Sequence, residues 1–196
     1  PRRMAGRSAD QPAPSMDDPA GDIIDLFDAL HIEDAVVAGL SMGGYIAFAL
    51  FRHAPRYIKA LVLADTRPQA DTPEGVEGRR KMLTLVKEKG PGAVADEMMP
   101  KLLGEHTRRT RPDVAERVRS LIMASSANAI ANAVTALMTR ADSSPLLQSI
   151  HVPTLIVVGE QDTITPPALS EQMYQAIKGS EYVVIPSAGH LANLEQ

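Results

Sequence analysis

Gly39, Ser41 and Gly43 form a G-x-S-x-G pattern, with an apolar run ending at Ala38 before it and a helical pattern carrying Ile46, Ala49, Leu50 and His53 on one face after it. That context reads as strand, tight turn, helix. A serine on such a turn holds its hydroxyl clear of its own backbone, and the flanking residues are small because a Cβ at either position is expected to collide across the turn. The turn also aims the N–H of Met42, at the helix start, toward the place where an oxyanion would form. A serine hydroxyl needs a base to attack a carbonyl, and histidine, with an unperturbed pKa of about 6.5, is the natural one at neutral pH. Of the five histidines, His31 ends a helical pattern, His53 falls within the helix after Ser41, His106 lies in an arginine-rich stretch and His151 precedes an apolar run. Only His190 follows a strand at its carboxyl end. Carboxylates follow two other strands, Glu160 and Asp162 after one and Asp65 after another. A carboxylate that accepts from the far ring nitrogen of a histidine fixes its tautomer and stabilises the imidazolium, so these residue types suit nucleophilic acyl transfer.

The elements that must position these side chains follow from hydrophobic periodicity. From Ser15 to Leu30 the pattern is helical: Ser15-x-x-Asp18 suits a capping box, Pro19 an early helix position, and Ala20, Ile23, Ile24, Phe27 and Leu30 recur at helix spacing. Residues Ala35–Ala38, Ile58–Ala64, Val152–Gly159 and Tyr182–Ile185 read as strands. Continuous apolar strands alternating with helices predict an α/β fold with a parallel sheet covered on both faces, its active residues beyond the strands' carboxyl ends. From Arg67 to about Asp142 strand signals give way to four helical patterns: Met82, Leu85 and Val86; Val94, Met98 and Leu102; Val114, Val118, Leu121 and Ile122; and Ile130, Val134, Leu137 and Met138. Met82, Met98, Met99, Met123 and Met138 either line a pliable apolar cavity or serve as core. His106 with Arg108, Arg109 and Arg111 reads as a solvated loop.

Composition narrows the function classes. The 196 residues are 44% hydrophobic and 22% charged with net charge −4, an ordinary globular composition with nothing that suits a nucleic-acid partner. No apolar run approaches the roughly 18 residues of a membrane span, and the start lacks a signal peptide's apolar core. The absence of cysteine excludes disulfides, thiolate metal sites and cysteine nucleophiles, and fits the cytoplasm. No H-E-x-x-H or nucleotide fingerprint is present, so no metal or organic cofactor is expected.

The Ser41 segment resembles the nucleophile elbow of the α/β-hydrolase superfamily, in which serine, acid and histidine follow in that order. Gly159-Glu160-Gln161-Asp162 with Thr165-Pro166-Pro167 is similar to the family's acid loop, and Pro186-Ser187-Ala188-Gly189-His190 to its histidine loop. The resemblance implies a triad of Ser41, Asp162 and His190, with Glu160 and Asp65 as alternative acids and Met42 N–H as an oxyanion donor. It implies three parts: core residues 1–66 with the elbow, a helical cap over 67–142 that roofs the pocket, and core residues 143–196 with the acid and histidine loops. Arg3–Ser8 resembles a drifted R-G-x-G-x-S loop that follows the family's fourth strand. On this alignment the strands are the fifth to eighth of eight. The fold is then incomplete, a second oxyanion donor is absent, and the strand at Ala35–Ala38 is open for self-association. The chain most resembles capped carboxylesterases and 3-oxoadipate enol-lactonases. The expected activity is cleavage of a small-molecule ester or lactone through an acyl-enzyme. The alternatives are a small-molecule sensor on the same fold and a fragment impaired by the missing donor.

Overall fold

A computed structural model describes residues 15–196; the Arg3–Ser8 stretch lies outside them. Four parallel strands, β1 (Ala35–Leu40), β2 (Ile58–Ala64), β3 (Thr154–Gly159) and β4 (Glu181–Ile185), form one sheet in the order β1-β2-β3-β4. Helix α1 (Asp17–Ala29) precedes β1 and α2 (Met42–His53) connects β1 to β2. The Ser15 to Asp18 pairing predicted for α1 is present: Ser15 N–H and Oγ–H both donate to Asp18 Oδ2, at 3.1 and 2.9 Å, and Ser15 Oγ accepts from Asp17 N–H.

Between β2 and β3 the chain makes helices α3 (Pro73–Leu102), α4 (Glu105–Thr110), α5 (Pro112–Met123) and α6 (Ala127–Met138). The first two predicted helices are the halves of α3, broken where Gly90 takes φ 71° ahead of Pro91. Proline there lacks the N–H of a continuing helix, and a positive φ falls to glycine without steric conflict. The solvated loop predicted around His106 is instead the helix α4, although His106, Arg108 and Arg109 remain exposed. Six residues without an apolar stripe gave no periodic signal. The methionines divide: Met82 and Met98 line a cavity of about 540 Å³ with Leu85 and Ile164, Met99 packs on Leu103, Val114 and Val118, and Met123 is exposed.

After β3, helix α7 (Pro167–Ala176) leads to β4, and a short α8 (Ala192–Glu195) follows the last strand. The core lies where α1 and α2 meet the sheet, with Phe48, Leu50, Leu61, Leu63 and Ile156 no more than 1% exposed. The helix expected after Ser41 is α2, and burial extends beyond the face of Ile46, Ala49 and Leu50: every residue from Gly44 to Leu50 is buried, because α2 lies between α1 and the sheet. Its last residue is exposed, and there His53 Nε2 lies 2.8 Å from Asp17 Oδ1. The helical insertion is tied to this core through Asp71, which accepts from Arg67, Arg79 and the buried Arg140 at 2.8, 3.2 and 2.8 Å. Arg140 in turn lies over the Tyr45 ring of α2, 4.4 Å from its centroid. Burial opposes the Asp71 charge, but Arg140 and Arg79 outweigh it and hold its pKa below the usual carboxylate value. No single described helix is long and apolar enough to cross a membrane.

Candidate active site

The register places the strand ends side by side: Leu40 pairs with Ala64 and Ala64 with Val157, so the residues after β1, β2 and β3 converge on one edge of the sheet. Ser41, the first residue past β1, has φ 50° and ψ −113°, a backbone conformation that costs a non-glycine residue about 1–3 kcal/mol. Its surroundings over-determine that conformation. Ser41 N–H donates to Ala64 O at 2.8 Å, and Ser41 O accepts from Gly44 N–H at 2.9 Å and from Thr66 Oγ1 at 2.8 Å.

The glycine requirement differs from the one expected. A Cβ on Gly39 would lie 2.4 Å from Gly43 O, a collision across the turn, but a Cβ on Gly43 would meet nothing within 4 Å. The second obligatory glycine is Gly44, whose Cβ would lie 2.4 Å from Thr66 Oγ1. The turn itself leaves Gly43 facing open space, while α2 presses on the segment after β2 one residue later.

The Ser41 hydroxyl lies 2.7 Å from His190 Nε2, and His190 Nδ1 lies 2.8 Å from Asp162 Oδ2. His190 and Asp162 are each 3% exposed. Asp162 is further held by Ile164 N–H and Thr165 N–H on Oδ1, at 2.8 and 3.0 Å, and by Thr165 Oγ1 on Oδ2 at 2.6 Å. Burial works against its charge, yet the hydrogen bonds and charge of His190 and the bonds from Thr165 bring its pKa below the usual value. An ionised carboxylate only accepts, so Nδ1 carries the ring proton of neutral His190 and Nε2 is left to accept from Ser41 Oγ–H. Met42 N–H lies in the first turn of α2, where backbone donors have no acceptor within the helix and the dipole favours negative charge.

The alternative acids are occupied otherwise. Glu160 Oε2 accepts from Ser187 N–H at 2.9 Å and holds the turn after β4. Asp65 is fully buried and accepts from Gly159 N–H at 2.8 Å through Oδ1, while Oδ2 has no partner. Burial pushes its pKa up from 3.8 to about 6. His31, His53, His106 and His151 are exposed and away from this cluster. Thr66 and Gly44 were not singled out from the sequence, and Thr165 entered only as part of the acid-loop resemblance. Thr165 alone carried a signal, a hydroxyl three residues after a carboxylate at a helix start, a spacing common to local side-chain bonds. Among the described residues no group of three or more His, Asp or Glu is arranged to hold a metal ion.

The chain is 29% identical over 175 residues to 3-oxoadipate enol-lactonase 2 of Acinetobacter baylyi, a match that covers 89% of this chain and 64% of that protein. The chain thus spans less than two thirds of the relative's length. A thermophilic esterase from Thermogutta terrifontis superposes with a TM-score of 0.89 at 41% identity, covering 93% of this chain and 67% of the other. The enol-lactonase of Burkholderia xenovorans LB400 superposes with a TM-score of 0.89 at 29% identity, covering 99% and 73%. The family model described as the alpha/beta hydrolase fold matches residues 3–196, so the strand-end serine, the parallel sheet and the helical insertion all fall within a single family match, and the chain belongs to the α/β-hydrolase fold family.

Proposed function

We propose that this protein is a serine hydrolase that cleaves carboxylic esters or lactones through an acyl-enzyme. Ser41 Oγ attacks the carbonyl carbon as its proton passes to His190 Nε2, and Asp162 holds the imidazolium that results. Met42 N–H receives part of the charge on the carbonyl oxygen. Collapse of the tetrahedral intermediate returns the proton from His190 to the departing alkoxide. Water then attacks the acyl-Ser41 carbonyl as its proton passes to the same nitrogen, and collapse of the second intermediate returns that proton to Ser41 Oγ as the acid leaves. Residues 67–142 act as a cap over the site, and the reaction requires neither metal nor organic cofactor. A cytoplasmic location belongs to the same reading.

The observation that carries this proposal is the unbroken relay of 2.7 and 2.8 Å from Ser41 through His190 to Asp162. The names of the relatives, an enol-lactonase and an esterase among them, support the substrate class. The test is steady-state hydrolysis of p-nitrophenyl acetate and butyrate by the protein and its Ser41→Ala variant. Multiple turnover that falls by roughly 10⁴-fold or more in Ser41→Ala is expected. Equal rates in the two proteins would exclude Ser41 as the nucleophile, and ligand binding without turnover would favour the sensor.

A further inference from the structure

Glu195 follows His190 by five residues, within α8, and is only 2% exposed. Both of its side-chain oxygens accept backbone N–H groups: Oε1 from Gly189 at 2.8 Å and Oε2 from Gly104 at 2.7 Å. Gly189 immediately precedes His190. Gly104 stands between α3 and α4 in the helical insertion.

The same two segments meet at further points. Leu191 N–H, just after His190, donates to Leu102 O at 3.2 Å. Glu105 N–H donates to Gln161 Oε1 at 2.7 Å, and Gln161 N–H to Ala188 O at 2.7 Å. The backbones approach so closely that a Cβ on Gly189 would lie 2.4 Å from Gly104 N, and one on Gly104 would lie 3.0 Å from Gly189 N. Leu191 and Leu194 pack on Leu103, Val114 and Val118, which keeps the contact dry. The backbone is therefore held against the insertion on both sides of His190. Glu195 makes the central bridge without itself touching the ring.

We propose that Glu195 is a positioning residue that clamps the His190 loop to the α3–α4 turn, so that His190 is in reach of Ser41 when the insertion is seated. This rests on the reading of His190 as the base. Glu195→Gln keeps one acceptor oxygen but turns an NH2 group toward the second backbone N–H, donor against donor. Gly104→Ala loosens the same contact from the opposite side. Gly104 has φ −62° and ψ 159°, a conformation open to alanine, so its effect is the added methyl and not backbone strain.

Three readings decide the matter in both variants. The first is the far-downfield proton resonance of the His190–Asp162 hydrogen bond. The second is the rate at which a fluorophosphonate labels Ser41 per folded molecule, and the third is the division of any loss between kcat and KM for p-nitrophenyl butyrate. The clamp predicts a shifted or broadened resonance, labelling slowed about tenfold to a hundredfold, and a loss confined to kcat with KM within about twofold, since small misplacements of a catalytic group lower rate on this scale. A lowered Tm with the wild-type resonance and labelling rate retained in both variants would reduce Glu195 to a purely structural part and overturn the proposal. Failure of the wild-type protein to react with the fluorophosphonate would count against the hydrolase reading, and the resonance would still decide the role of Glu195.

Discussion

Asp162 and Asp65 are both buried at strand ends and differ in what they are given to hold. Asp162 has four hydrogen bonds and a depressed pKa; Asp65 has one, from Gly159, and a pKa pushed up to about 6 by burial. The sign of the stability effect follows. Asp65 binds its proton more tightly folded than unfolded, so its contribution is complete below about pH 4 and is lost as pH rises through about 6. The difference between 3.8 and about 6 corresponds to roughly 3 kcal/mol. Asp65→Asn should therefore flatten the fall in stability between about pH 4 and pH 6, read from urea midpoints; parallel curves for variant and parent would contradict this. Asp162 has the opposite sign, with stability present near neutrality and lost on acidification. The positions of Ser41 and His190 at strand ends were legible because each follows a glycine turn, while Asp162, three residues past its apolar run, was chosen on the resemblance of its loop. Residue type and place after a strand did not by themselves rank Asp162 above Asp65 and Glu160; the resemblance did, and the fold brings Asp162 against His190. Glu195 was invisible because its partners Gly104 and Gly189 are brought together by the fold.

At the scale of elements, the elbow is set by contacts between a turn and what packs on it. Gly39→Ala places a methyl 2.4 Å from Gly43 O and should destabilise by about 1–3 kcal/mol, the usual range for overpacking. Gly43→Ala meets open space and lies in the first turn of α2, so its stability should be unchanged or up to about 1 kcal/mol higher. Thermal unfolding of the pair tests the contrast, and equal losses would contradict it. The second junction is Asp71, whose side chain, like that of Arg140, is 2% exposed. Asp71→Ala leaves the buried Arg140 guanidinium without its counter-charge, and a loss of about 3–5 kcal/mol in chemical denaturation is expected. The strands were readable as short continuous apolar runs and the long helices from their period. The burial of α2 on all sides was not, because periodicity reports a helix's own pattern and not how many layers enclose it. The helix α4, with no apolar stripe, left no period to read.

For the molecule as a whole, the described sheet ends in two edge strands, β1 and β4, of which β1 carries the more exposed valine. Within the described residues β1 pairs only with β2, and Val36 on it is 62% exposed. The sequence predicted this strand to lie open or to pair with another chain. Unpaired strand edges template association, and lysine on an edge suppresses it. We propose that residues 1–196 by themselves self-associate through this edge. Sedimentation velocity should show concentration-dependent dimers that Val36→Lys weakens about tenfold or more; a monomer at all concentrations would exclude it. The parallel sheet was legible because its strands alternate with helices, and with it the gathering of active residues beyond the strands' carboxyl ends; which side chains meet there depends on contacts between segments distant in sequence, such as Ser41 with His190.

The central claim is that the Ser41–His190–Asp162 relay makes one serine a nucleophile. Intact-mass analysis after brief exposure to a fluorophosphonate tests it most directly. A single adduct that maps to Ser41, is absent from Ser41→Ala and forms at least about a hundredfold more slowly in His190→Ala is expected, the scale of general-base assistance. No adduct, or an adduct that forms equally fast without His190, would contradict it.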